Sequence, residues 1–480
     1  MESRDIFKNI SPLDSRYAHS NPELFDRLSS FLSEDASVRA CIEVEVALFL
    51  EHLSHFYPSL PSDEVDALVG TMRSVGPQDV YEEEKKTRHN IRALVNVLQR
   101  SLPEEYRRLV HLGATSADIL DSSTALRYRR LVSSVILPLF DDVLTALIRL
   151  SREHAELIQV GRTHGQFAVP ITVGFALAEY VSRLALSVAR IEELSRELRG
   201  KLAGAVGAYN ALRLISENPR ELEARVLGRL DLEAADHATQ IVQPEFLLRL
   251  LLEINVAFGI VANLADDLRH LQRSEIGEFR EYFSPDQVGS STMPQKRNPW
   301  NSEHVKSLWK AFSPRVVSFY MDQISEHQRD LSNSASSRFV ADYVAGVAAA
   351  ASRMVRILEG LTVDRTSLER NLRTGGDAPL AEAAYILLAL DGHGDAHEKV
   401  RVMTLRCRQE DKTLLSVIQE TPEVAESIEK SLLRAGLGTT EEFFSSAQSY
   451  RGVAAQVAID VCNRAEEQIN SRREGNSGDA

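Results

Sequence analysis

The chain has 480 residues, of which 44% are hydrophobic and 26% charged, the balance of a soluble globular protein. Its formal net charge of −14 excludes a general nucleic-acid surface, because clustered lysine and arginine side chains hold phosphate backbones. The three cysteines, Cys41, Cys407 and Cys462, lie far apart without a CxxC pair, which excludes an encoded disulfide framework or zinc site.

Long segments without proline predict long helices, and strand patterns are nearly absent, so we expect an all-α protein. The clearest helix follows Pro244, where apolar residues recur at spacings of three and four. This apolar seam comprises Phe246, Leu250, Ile254, Ala257, Val261, Leu264, Leu268 and Leu271. Helices of this length need partners along the whole seam, so a homo-oligomer is expected, with a monomeric bundle as the alternative.

The same patterns predict three helical domains. The first covers residues 1–112, the central bundle covers 113–364, and the third covers 365–480 with a disordered tail from about residue 471. The start of the chain lacks the layout of a secretory signal, and no uninterrupted apolar run reaches about 18 residues. We therefore expect a cytoplasmic protein with no membrane segment.

Two segments in the first half of the chain combine a histidine with small residues. His111 lies in HLGATSAD and His164 lies in GRTHGQ. We expect both segments at helix starts, where backbone N–H groups and hydroxyls can bind an anion. A satisfied structural histidine is the alternative in each case.

Residues 284–299 interrupt two helical patterns with the polar sequence GSSTMPQKRNP, which begins at Gly289. Glycine, serine and proline predict a mobile loop, while the two hydroxyls, the lysine, the arginine and the amide give it polar capacity. Such a loop can close over a ligand. A polar linker with incidental serines is the alternative from composition alone.

This loop resembles the GSSxMPxKxNP signature of the fumarase/aspartase superfamily, and the two histidine segments resemble its other shared elements. The resemblance implies that Ser290 removes a proton from the carbon beside a carboxylate. It implies that Lys296 and Asn298 stabilise the negative charge of the resulting aci-carboxylate. His164 would protonate the leaving nitrogen, oriented by Glu303.

The resemblance also assigns His111 a substrate contact and a part in the proton chemistry. Three segments, SPLDSRY, TRHN and EHQRDLSNSASSR, resemble the adenylosuccinate lyase family within the superfamily. The residues implied to bind substrate are Arg16, Tyr17, Arg88, His89, Thr115, Ser116, Gln240, Arg329, Ser334 and Arg338. The acidic run 82–84 and the two lysines after it are predicted to be solvent-exposed surface. After Gln240 the chain reads IVQPE, where the family often has a basic stretch, so substrate contacts there are open.

The resemblance implies a homotetramer with active sites shared between subunits, and it implies no organic cofactor and no metal. The expected reaction is elimination of fumarate from succinylated purine nucleotides. One alternative is another lyase of the superfamily, such as an argininosuccinate lyase or a carboxymuconate cycloisomerase. The other is a non-catalytic structural tetramer.

Overall fold

A computed structural model describes residues 8–477 of the chain. Helices make up 68% of it, which confirms the predicted all-α class. Helices of ten or more residues run over Pro22–Leu32, Glu34–Phe56, Ser62–Arg73, Pro77–Thr87, Asn90–Ser101, Ser116–Leu131, Leu137–Glu153, Val173–Arg196, Pro219–Gly228, Glu245–Leu271, Trp300–Phe312, Val340–Glu359, Arg365–Gly375, Ala381–Leu390, Ala396–Glu410, Pro422–Ala435 and Ala454–Ser477.

Shorter elements connect these helices. The short helical segments are Leu13–Tyr17, Ala18–Ser20, Glu104–Arg107, Val132–Ile136, Leu212–Leu214, Ser313–Arg315, Val316–Met321, Ser336–Phe339, Ala378–Leu380, Leu414–Gln419, Thr440–Phe444 and Ala447–Ser449. The strands pair two by two: Ile158–Thr163 with Gln166–Thr172, Arg199–Gly200 with Glu233–Ala234, and Phe279–Arg280 with Thr362–Val363. Only the second of these pairs is parallel.

Capping residues set where several helices begin. The Ser33 hydroxyl accepts a hydrogen bond from the Ala36 N–H at 3.2 Å, and the Asp364 carboxylate accepts one from the Ser367 N–H at 2.9 Å. These bonds satisfy amide groups that have no partner inside the helix. Four other helices have proline in the first turn, where the missing N–H costs nothing.

The helix Glu245–Leu271 confirms the predicted apolar seam, since six of the eight seam residues are buried. The helical stretch Ser116–Glu153 is longer, at 38 residues, and contains the π-helical turn Val132–Ile136. Both are long and apolar enough to cross a membrane, but the apolar window is 56% buried in Glu245–Leu271 and 72% buried in Ser116–Glu153. Burial of this extent is typical of core helices in a soluble protein.

The structure divides into two compact units. The first unit comprises Met1–Asp141, Leu186–Val261 and Ser307–Ser352. Within it the helix Glu34–Phe56 packs against Ser116–Leu131. The largest fully buried side chains of this unit include Phe49, Phe140, Phe258 and Tyr343, and these apolar rings fill its core.

The second unit comprises Asp142–Ala185, Ala262–Lys306 and Arg353–Ala480. Its C-terminal helices enclose a separate apolar core that includes Leu388, Ile418 and Ile428. The last helix, Ala454–Ser477, corrects the predicted start of a disordered tail, because it continues past residue 471 and buries Arg472. Residues 478–480 lie outside the described residues. The division into three domains stays a prediction.

Candidate active site

The signature loop, residues 284–299, is irregular backbone that ends where the helix Trp300–Phe312 begins. Its Ser290 hydroxyl oxygen accepts hydrogen bonds from the N–H groups of Met293 at 3.1 Å and Thr292 at 3.4 Å. Two donors on one oxygen stabilise negative charge there. The loop therefore places Ser290 in surroundings that favour a proton-accepting oxygen.

The two ends of the loop lie against each other. The Asn298 side-chain amide donates a hydrogen bond to the Gly289 carbonyl oxygen at 3.0 Å. A Cβ at Gly289 would lie 2.1 Å from the Lys296 carbonyl oxygen, so only glycine fits this approach. The sequence signature thus encodes a closed loop that brings the Lys296 and Asn298 segment next to Ser290.

Lys296, Asn298 and Glu303 line the same open cavity of about 540 Å³. Basic side chains from the helix Glu245–Leu271 and the residues after it, Arg269 and Arg273, line it as well. A cavity with this many cationic groups suits an anionic ligand, as the implied role of Lys296 requires.

His164 lies at the exposed tip of a β-hairpin, so the prediction of a helix start there is wrong. The strands Ile158–Thr163 and Gln166–Thr172 leave only His164 and Gly165 to make the turn. Both turn residues have positive φ, 54° and 74°, as a two-residue hairpin turn of this kind requires. A non-glycine residue in this conformation is uncommon and marks a candidate functional position.

The base of this hairpin is fixed by Glu278, a fully buried carboxylate that the sequence analysis missed. Its two oxygens accept hydrogen bonds from the Arg162 guanidinium at 2.6 and 3.0 Å and from the Gln159 amide at 2.7 Å. The Asn371 amide adds a third donor at 2.8 Å. Four charge-assisted bonds satisfy the carboxylate and hold the strand that ends beside His164.

The predicted pairing of His164 with Glu303 stays a prediction. Within residues 8–477 no hydrogen bond or ion pair joins the two side chains, and both are exposed. Glu303 lies in the first turn of the helix Trp300–Phe312, as expected for a residue shortly after the signature loop.

In the first unit His111 lies in a turn just before the helix Ser116–Leu131, close to the predicted helix start. Its Nδ1 lies 2.6 Å from Oε1 of the buried Glu45. Burial lowers the pKa of His111, but the hydrogen bond and the negative charge of Glu45, with that of Asp118, outweigh it. The pKa of His111 therefore lies above its ordinary value.

Two of the other implied substrate residues of this region, Thr115 and Gln240, are hydrogen-bonded through their backbone to a buried ion pair. Ser116 is the first residue of the helix Ser116–Leu131. Asp118 accepts a hydrogen bond from the Thr115 N–H at 2.8 Å and one from the fully buried Lys201 ammonium at 2.5 Å. The same ammonium donates to the Gln240 carbonyl oxygen at 2.8 Å. One charged pair thus joins two segments that the sequence analysis assigned to the substrate.

Replacing Lys201 by methionine should destabilise the protein strongly, because Asp118 would stay buried without its cation. Breaking a buried pair in this way lowers the free energy of unfolding by about 3–5 kcal/mol. Urea unfolding at one fixed protein concentration measures the change. Lys85→Met is the matched control, since Lys85 pairs with Glu82 on the surface. This substitution should lower the free energy of unfolding by less than about 1 kcal/mol. Equal midpoints for the two variants would contradict a structural role for Lys201.

Of the residues implied to bind phosphate near the N-terminus, Arg16, Arg88 and His89 are exposed and Tyr17 is half-buried. Arg16 and Tyr17 lie in the turn Leu13–Tyr17, and Arg88 has φ of 54° at the end of the helix Pro77–Thr87. His89 caps the next helix, Asn90–Ser101, where its Nδ1 accepts a hydrogen bond from the Arg92 N–H at 3.3 Å. Its Nε2 therefore carries the proton when the imidazole is neutral.

The acidic run before these residues was predicted to be surface, and this is wrong for Glu83. Glu83 is buried and accepts hydrogen bonds from Arg100 at 2.8 Å and Asn96 at 3.0 Å on the next helix. The Arg100 guanidinium and the Asn96 amide hold the pKa of Glu83 down to about 2. The carboxylate joins two helices, which a local charge pattern does not reveal.

Arg329 is half-buried and hydrogen-bonds Asn333, and both line a cavity of about 190 Å³ in the first unit. Asp121 lines the same cavity, where burial raises the pKa of its carboxyl to about 6 although the Val242 N–H and nearby cations oppose the rise. Ser334 and Arg338 lie on the exposed part of the same irregular segment, before the helix Val340–Glu359. This segment is not one continuous helix, so helical spacing does not determine the relative positions of Arg329 and Arg338.

Comparison with known proteins defines the family of this chain. A family profile described as "Lyase" matches residues 72–311, and one described as "Adenylosuccinate lyase C-terminal" matches residues 325–437. The adenylosuccinate lyase of Pyrococcus abyssi is 30% identical over 462 residues, covering 95% of this chain and 98% of the relative. The chain belongs to the adenylosuccinate lyase family. It is therefore an enzyme of the lyase class.

Another member of the family agrees with this assignment, and two solved structures share the fold. The adenylosuccinate lyase of Archaeoglobus fulgidus is 30% identical, covering 88% of this chain and 93% of the relative. A fumarate lyase from Mesorhizobium sp. BNC1 superposes with a TM-score of 0.77 at 23% identity, covering 91% of this chain and 97% of the other. The 3-carboxy-cis,cis-muconate lactonizing enzyme of Pseudomonas putida gives 0.75 at 23%, covering 92% and 97%. These two structures support the fold alone.

Proposed function

We propose that this adenylosuccinate lyase family member cleaves adenylosuccinate to AMP and fumarate. We propose that it also releases fumarate from the succinylated imidazole carboxamide ribotide SAICAR, giving AICAR, in purine nucleotide biosynthesis. The observation that carries the proposal is the match of residues 325–437 to the C-terminal part of adenylosuccinate lyases, together with relatives of that name along nearly the whole chain.

The chemistry follows from the two candidate groups of the second unit. Ser290 acts as an alkoxide, stabilised by the N–H groups of Thr292 and Met293, and accepts a proton from the succinyl methylene carbon to become the neutral hydroxyl. The electron pair left on the carbon expels the nitrogen as the C–N bond breaks. His164 donates a proton to the departing nitrogen, and the new carbon–carbon double bond makes fumarate. Lys296 and Asn298 stabilise the carboxylate on which charge accumulates in between.

Charge distribution supports this substrate class. Adenylosuccinate carries a phosphate and two carboxylates, whereas the protein has a net charge of −14. The residues proposed to meet these anions supply local cations, and they are Arg16, Arg88, Lys296, Arg329 and Arg338. Local cations of this kind attract an anionic ligand without a generally basic surface.

We further propose a cytoplasmic homotetramer with shared active sites. Large apolar side chains lie exposed along residues 317–339 of the first unit: Val317, Tyr320, Met321, Ile324, Leu331 and Phe339. Clustered exposed apolar residues are typical of protein interfaces. The same segment contains Arg329 and Ser334, so an interface here brings substrate residues to a subunit boundary.

The purified protein should change the ultraviolet absorbance of an adenylosuccinate solution and leave argininosuccinate unchanged. The expected result follows from the adenine-linked nitrogen, whose chromophore changes when fumarate leaves. Fumarate is quantified separately in both reactions to confirm the elimination. Release from argininosuccinate alone would move the chain to another lyase class, and no release from any substrate, SAICAR included, would favour a structural tetramer.

A further inference from the structure

A buried carboxylate in the first unit is paired with a histidine. Glu45 lies in the middle of the helix Glu34–Phe56 and is fully buried between apolar residues such as Val44 and Val46. Its Oε1 contacts Nδ1 of His111, and within residues 8–477 its Oε2 has no hydrogen-bond partner. A buried charge is costly unless it is paired, so the pairing with His111 accounts for a glutamate at this position.

This contact fixes the tautomer of His111. An ionised carboxylate only accepts hydrogen bonds, so Nδ1 must carry a proton whether the imidazole is neutral or charged. Nε2 is then the nitrogen that gains and loses a proton. A carboxylate placed behind a histidine in this way orients the ring and stabilises its charged form.

The backbone around His111 is also held in place. His111 has φ of 61°, a left-handed conformation that is uncommon for residues other than glycine. The carbonyl oxygen of Leu112 accepts a hydrogen bond from Nε2 of the fully buried His52 at 2.9 Å. Glu45 and His52 are seven residues apart on one helix, hence on one face. Together they hold two consecutive residues of the turn.

We propose that Glu45 is a positioning residue that holds His111 as a cation with Nε2 directed to an anionic group of the substrate. This inference rests on the proposed function, since the anion is a carboxylate or phosphate of the succinylated nucleotide. Among the described residues, Asp118 and Arg92 also act on His111: the charge of Asp118 raises its pKa, as that of Glu45 does, whereas the charge of Arg92 lowers it.

Replacing Glu45 by glutamine tests the role of its charge, because glutamine keeps the shape and an accepting oxygen. We expect kcat/KM to fall about ten- to a hundred-fold at about pH 8, the range for removing the hydrogen-bond partner behind a histidine in metal sites. The loss should be smaller at lower pH, where His111 is protonated without help. Glu43→Gln is the matched control, because Glu43 lies on the same helix and pairs with Arg130 instead. Identical pH profiles for the two variants would overturn the proposal.

A second readout does not depend on activity. Hydrogen–deuterium exchange at Cε1 of histidine, followed by mass spectrometry on the peptide that contains His111, reports the protonation midpoint of this residue in the intact protein. We expect the midpoint to move to lower pH in Glu45→Gln and to stay in place in Glu43→Gln. This measurement does not depend on the substrate. A protein that is inactive on adenylosuccinate would therefore contradict the proposed function, while the coupling between Glu45 and His111 would still be tested.

The variant Glu45→Asp separates the effect of the negative charge from the effect of its distance to His111. It also provides a test if Glu45→Gln does not assemble. It keeps the carboxylate one methylene further from His111, so we expect a midpoint between those of wild type and Glu45→Gln, and partial recovery of kcat/KM. A midpoint equal to that of wild type with unchanged kinetics would overturn a positioning role. Product inhibition by fumarate and by AMP then identifies which anionic group contacts His111. The product that contacts His111 should inhibit Glu45→Gln more weakly than it inhibits wild type. Unchanged inhibition by both products would refute the anion contact.

Discussion

Ser290→Ala should lower kcat by on the order of 10³-fold or more while the protein keeps its fold and its oligomeric state. The reason is that the variant loses the oxygen that accepts hydrogen bonds from the Thr292 and Met293 N–H groups. An alanine has no group to take the proton from the substrate carbon, and water in the same place is not preorganised. Steady-state kinetics with adenylosuccinate measure the loss, and size-exclusion chromatography with light scattering measures the assembly.

Ser291→Ala is the matched control for this prediction, because Ser291 lies in the same loop, is exposed, and lacks the two backbone donors of its neighbour. We expect it to lose far less activity than Ser290→Ala. If Ser291→Ala lost activity while Ser290→Ala kept it, Ser291 and not Ser290 would be the base. Near-normal turnover in both variants would remove the loop hydroxyls from the proton abstraction altogether.

The helical part of the fold could be predicted because its signal is local. The seam after Pro244 repeats at helical spacing, and the structure gives a helix over Glu245–Leu271 with most of that seam buried. The hairpin Ile158–Thr172 could not be predicted in the same way. Its strands contain Gly161 and Pro170, which weaken a strand pattern, and they are stabilised by Glu278 far along the chain.

The site residues also divide into those with a local sequence signal and those whose partners lie far away in the chain. Ser290, Lys296 and Asn298 lie within one motif, so the sequence alone places them close together. Glu45, Lys201 and Glu278 were missed because their partners His111, Asp118 and Arg162 lie 66, 83 and 116 positions away. Glu45 did leave one local signal, a lone carboxylate inside the apolar run Val44–Leu50 of a helix. A buried charge in such a run predicts a partner without naming it.

His164→Gln should lower kcat by about 10²- to 10⁴-fold, the range for loss of a general acid. Glutamine keeps polarity at the hairpin tip but cannot donate a proton to the departing nitrogen. The tip itself should survive, because Glu278 anchors the strand before it through Arg162 and Gln159. We therefore expect circular dichroism and assembly to match wild type while the rate falls.

A leaving group that needs no protonation sharpens this test. If His164 serves only as the acid, a substrate analogue with a more acidic nitrogen should lose much less rate in His164→Gln than adenylosuccinate does, because its C–N bond breaks without help. His55→Gln is the matched control, since His55 is exposed near the end of the helix Glu34–Phe56 and has no assigned part in the proton chemistry. Equal losses for both leaving groups would assign His164 to substrate binding, and an unaltered rate and pH profile would remove it from the mechanism.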